Sequence, residues 1–130
     1  MYDYELIDYD SKIPQMAHKG LDVIVPEGTP VYSVGDGTIR TIGFKSGVGN
    51  RILIDYIYDN KLVSVTYGHL SDESLKKVEA GQQIKQGDII GFIAPPDLVH
   101  KISVPRLHFE VLSQGLNINS LAWLEDNQKL

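Results

Sequence analysis

The chain has 130 residues, enough for one domain with a real core and too few for two. A hydrophobic content of 42% argues against disorder, and a net charge of -5 with no Lys/Arg-rich run argues against nucleic-acid binding. Cysteine is absent, which excludes disulfides and a thiol nucleophile and limits metal donors to His, Asp, Glu or backbone oxygen.

The start, MYDYELIDYD, is acidic and alternating, unlike a signal or transit peptide. No later run approaches the ~20 apolar residues that span a bilayer. LDVIVPEGTPVYSV then predicts a strand, a turn and a second strand. DGTIRTIGF opens on Asp36-Gly37, a hairpin-type signal. NRILIDYIYDNKLVSVTYGHL predicts two strands joined near Asp59-Asn60, each rich in β-branched and aromatic residues. Tyr56, Tyr58 and Tyr67 on these strands are expected to be core or surface residues of a sheet.

Only SDESLKKVEAG breaks the pattern, with Ser71 suited to cap one short helical turn and Gly81 to end it. Glycines at 81, 87 and 91 then predict tight corners where backbones cross closely. In VPRLHFEV, period-two alternation puts Leu107, Phe109 and Val111 on a core face and Arg106, His108 and Glu110 on the other. Glu110 is expected to pair with Arg106 or a neighbouring strand. The tail LNINSLAWL is expected to pack back on the body through Trp123. The class is all-β, a small barrel or sandwich.

The four histidines stand at 18, 69, 100 and 108. In HKGLD, His18 and Asp22 lie four residues apart and point to one side of an extended chain, with small Gly20 between them. His108 shares its face with a carboxylate and a guanidinium. Two imidazoles and one carboxylate are a standard donor set for catalytic zinc, which polarises a carbonyl and lowers the pKa of its water toward ~7. Spacing alone leaves such a site open, because an isolated HxxxD is common and a strand histidine is usually hydrogen-bonded or solvated.

The wider order of motifs carries more weight. HKGLDVIVPEGTPVYSVGDGTI, GVGNRILIDY, VTYGHL, VEAGQQIKQGDIIG and LHFEV follow one another along the chain. Together they closely resemble the lysostaphin or LytM-type zinc metallopeptidases of bacterial peptidoglycan, the duplicated hybrid motif fold. The resemblance implies an antiparallel β domain over residues 14–124, between an N-terminal extension (1–13) and a short tail (125–130). It implies Zn2+ held by His18, Asp22 and His108, the last from the second position of the family's H-x-H motif. His69, in Y-x-H-L, would be one of two non-ligand catalytic histidines. The other catalytic position, the first of H-x-H, is occupied here by Arg106.

Arginine keeps its proton at any working pH and cannot act as a general base, although it can donate hydrogen bonds to an oxyanion. His100 lies six residues before Arg106 in APPDLVHKISVP and reads as an exposed loop histidine. The resemblance therefore implies a zinc endopeptidase of peptidoglycan cross-links, with a reduced rate expected from Arg106. Its alternative is a degenerate peptidase-like domain that binds cell wall or activates a partner hydrolase. A biotinyl or lipoyl carrier ranks below both, since the lysine centred in a hairpin is missing. The expected partners are peptidoglycan stems or cross-bridges, with no nucleic acid and no membrane span, and the expected place of action is the cell wall.

Overall fold

The computed structural model describes residues 5–8, 20–99, 104–113 and 116–118, the first and last of these as backbone only. His18, His100 and Trp123 lie outside the described residues. The strands are β1 (Glu5–Asp8), β2 (Leu21–Ile24), β3 (Pro30–Tyr32), β4 (Gly37–Lys45), β5 (Gly49–Tyr58), β6 (Lys61–Gly68), β7 (Gln83–Ile84), β8 (Ile89–Phe92), β9 (Arg106–Ser113) and β10 (Leu116–Ile118). One short helix, α1 (Asp72–Lys76), follows β6.

Eight strands form one sheet in the order β1-β2-β9-β6-β5-β4-β7, with β10 also paired to β9, and β3 and β8 form a separate ribbon. Every described pairing is antiparallel. The architecture is thus the expected all-β one. β1, from the segment expected to be an extension, pairs with β2 along the sheet.

The β5–β6 hairpin forms where Asp59-Asn60 predicts it, because both residues adopt positive φ, 50° and 63°. Such a turn matches the right-handed twist of its strands. Asp36-Gly37 does not make a hairpin: β3 pairs with β8, while β4 pairs with β5 and β7. The Asp36 carboxylate instead accepts the Gln86 N–H at 2.8 Å, and a Cβ at Gly37 would strike the Asp55 carbonyl. Ser71 caps α1 as expected, its Oγ accepting from Ser74 N at 3.3 Å, but the helix ends at Lys76 rather than Gly81. Gly81 and Gly87 serve turns with φ of 90° and 86° and no close neighbour, so of the three glycines only Gly91, against Ser74, relieves a close approach.

The core lies between the inner face of the sheet and the β3–β8 ribbon. Leu21, Ile52, Ile54, Val65, Phe109 and Val111 from the sheet meet Val31, Ile90 and Ile93. Within it, Tyr67 and Phe109 pack edge to face with centroids 5.7 Å apart. A hydroxyl chain threads this core: Ser33 Oγ and Tyr56 OH lie 2.7 Å apart, as do Tyr56 OH and Tyr67 OH. Tyr67 OH also accepts the Val34 N–H at 3.0 Å. Burial pushes the Tyr56 phenol up to about 12, so it remains a donor at working pH. Tyr67→Phe leaves a backbone donor and a phenol short of a partner, and we expect it to cost about 1–3 kcal/mol, read as a lower urea midpoint.

Candidate active site

Alternation on β9 points Phe109 and Val111 into the core and Arg106, His108 and Glu110 to the opposite face. The register sets Asp22 of β2 directly across from His108, with Gly68 of β6 on the other side. Asp22 and His108 are both buried, 2% and 6% exposed. His108 Nδ1 lies 2.8 Å from Asp22 Oδ1, and His108 Nε2 lies 2.7 Å from Glu110 Oε1. Glu110, expected to pair with Arg106 or a neighbouring strand, thus meets His108 of its own strand. Arg106 turns the other way, its Nε 3.8 Å from Asp22 Oδ2.

Small residues make room for the imidazole. A Cβ at Gly20 would stand 2.8 Å from His108 Cε1 and 2.9 Å from Glu110 Cγ, and one at Gly68 would stand 3.1 Å from His108 Cβ. Burial opposes charge on His108, but its bonds to Asp22 and Glu110 outweigh that and push its pKa up to about 9.

His69 ends the β6 edge of this face with φ of 64°, a left-handed conformation that costs a non-glycine residue roughly 1–2 kcal/mol. Backbone bonds hold it there: its N–H donates to Val48 O at 2.9 Å and its carbonyl accepts from Ala94 N at 3.0 Å. The side chain is 4% exposed, and among the described residues Nε2 has no hydrogen-bond partner. Burial lowers its pKa, the Arg106 charge lowers it further, and Asp97 and Asp22 oppose both, with the net effect favouring the neutral ring. A strained, buried polar side chain with an open nitrogen is a functional-site signature.

His69 lines a cleft of about 560 Å³ together with Phe44, Asn50, Asp72, Pro95 and Asp97. The Asn50 amide fixes this wall by donating to Leu70 O at 3.0 Å and to Asp72 Oδ1 at 2.7 Å. The Asp22–His108 pair lies outside the cleft lining. Of the cleft residues only His69 is assigned a chemical role from the sequence, because they come from four separate segments with no shared local pattern.

Among the described residues, no group of three or more His, Asp or Glu side chains is arranged to hold a metal ion. Asp22 and His108 nonetheless fit zinc: one carboxylate and one imidazole, buried and with donor atoms within reach of a single ion. The third expected donor, His18, lies outside the described residues. Also among the described residues, no helix is long and apolar enough to cross a membrane.

The antiparallel sheet thus carries a buried Asp–His pair, and a further buried histidine, His69, lines the cleft. Residues 16–120 match Peptidase family M23, and the chain belongs to that family. It is 31% identical over 103 residues to peptidoglycan DD-endopeptidase ShyC of Vibrio cholerae, a match covering 79% of this chain and 22% of ShyC. The chain thus spans about a fifth of that relative's length. A zinc containing peptidase from Vibrio cholerae aligns with a TM-score of 0.65 at 33% identity, over 80% of this chain and 29% of the other. The catalytic domain of lysostaphin from Staphylococcus simulans shares the fold, with a TM-score of 0.67 at 24% identity over 83% of this chain and 79% of that one.

Proposed function

We propose that the protein is a zinc-dependent endopeptidase that cuts peptide cross-links of bacterial peptidoglycan, acting at the cell wall. The observation that carries this reading is the buried Asp22–His108 contact on adjacent strands of an M23 domain. His18, Asp22 and His108 would hold the metal, which when bound supplies Lewis acidity toward the scissile carbonyl and its attacking water.

The rest falls to the chain's own side chains. His69 presents a neutral ring with an open Nε2 at the cleft wall, suited to take a proton from water. Arg106 donates but cannot accept, so it can steady negative charge near Asp22 and no more. The cleft, with exposed Phe44 and Leu98 at its edges, receives an extended peptide.

The test is release of new amino termini from purified peptidoglycan, abolished by a chelator and restored by added zinc. His69→Ala should lower the rate by about 10²–10⁴-fold with zinc still bound. Zinc-loaded, folded protein that releases nothing would overturn the peptidase reading and favour a non-cutting groove.

A further inference from the structure

His108 is held at both ring nitrogens, and the second contact belongs to neither the ligand set nor the cleft. Glu110 Oε1 meets Nε2 at 2.7 Å, with side chains only 7% (His108) and 17% (Glu110) exposed. The two residues are i and i+2 on one strand, so their side chains rise from the same face. A hydrogen bond to a carboxylate at this length is a strong one and fixes the ring's rotation as well as its proton. Gly20 is the second, independent part of the arrangement. A methyl group there would press on His108 Cε1, His108 Nε2 and Glu110 Cγ within 2.9 Å, all three belonging to this one pair. Its φ is not among the positive ones, so space and not backbone conformation accounts for the glycine.

We propose that Glu110 is a positioning residue for the metal centre: it accepts the Nε2–H of His108 and so keeps the Nδ1 side of the ring turned toward Asp22, in a space kept open by Gly20. This rests on the zinc reading above. The principle is general, since a ligand imidazole usually donates its other N–H to a carboxylate or carbonyl, and loss of that partner weakens metal binding. It also explains a glutamate on a half-buried face where a threonine would suit the strand better.

The test compares wild type, Glu110→Ala, Glu110→Gln and Gly20→Ala, with Asp22→Asn as a ligand control. Zinc affinity is read by competition with a chromophoric chelator, and the His108 ring proton by imidazole ¹H–¹⁵N correlation in the zinc-loaded protein. In wild type the proton should sit on Nε2 and resist exchange with water. Glu110→Ala should weaken zinc by about 10–100-fold and expose that proton to exchange. Glu110→Gln should recover most of the affinity, because its amide oxygen accepts the same proton. Gly20→Ala should shift the ring signal and weaken zinc.

Unchanged affinity and a still-protected proton in Glu110→Ala would overturn the positioning role. Weakening in alanine with no recovery in glutamine and no change in the ring signal would overturn it too, by marking a packing effect. Failure of the zinc reading looks different: wild type takes up no zinc, or Asp22→Asn binds as tightly as wild type, and the positioning role falls with it.

Discussion

Arg106→His is expected to raise peptidoglycan cleavage by about 10²-fold, the usual worth of one positioned acid–base group. Position 106 sits across from Ile24 and two residues before His108 on the same face, so an imidazole there points toward the metal centre. The native guanidinium stands 3.8 Å from Asp22 Oδ2 and adds to the lowering of the His69 pKa that burial begins. It cannot take a proton, and its permanent charge opposes a cation held by Asp22. The comparison is the rate of new amino-terminus release by the two proteins at equal zinc occupancy. A clear loss in the histidine variant would show that the arginine fork clamps a substrate carboxylate or an oxyanion, which an imidazole does not replace. Silence from both proteins would favour the non-cutting groove.

His108→Ala should abolish zinc binding and cleavage while the domain still folds. The core side of β9 is carried by Phe109 and Val111, 4% and 0% exposed, and neither is touched. The truncation does strip Asp22 of its 2.8 Å partner. Breaking a buried charged pair costs up to about 3–5 kcal/mol, against a total domain stability of about 5–15 kcal/mol. Arg106 on the far oxygen of Asp22 softens that loss. The expected record is a native-like circular dichroism spectrum, a lower Tm and no bound zinc. An unfolded variant, with normal zinc in Asp22→Asn and His18→Ala, would make His108 a structural histidine.

The two faces of β9 were legible because period-two alternation of Leu107, Phe109 and Val111 against Arg106, His108 and Glu110 survives any tertiary context. The β5–β6 turn was legible for an equally local reason, since Asp59 and Asn60 tolerate the left-handed backbone it needs. Strand pairing was not local. Asp36-Gly37 marks a sharp bend, but what β4 lies beside is decided by β5 and β7, and no dipeptide records that. Spacing has the same limit for Asp22 and His108: only the family resemblance joined them as ligands, since they are 86 residues apart and meet because β9 inserts between β2 and β6. The His108–Glu110 contact was passed over, in favour of Arg106 or a neighbouring strand, for a simpler reason. Arg106 lies four residues away, about 13 Å along a strand, whereas His108 lies between them and intercepts the carboxylate. Spacing did not mark the cleft wall, since Phe44, Asn50, Asp72 and Asp97 come together only once β4, β5, α1 and the loop after β8 converge.

Zinc content of the untreated protein tests the metal centre most directly. Elemental analysis of chain purified without added metal should give close to one zinc per molecule, and none in His108→Ala or Asp22→Asn. A folded wild type that carries no zinc, and takes none up when it is supplied, would contradict the peptidase reading.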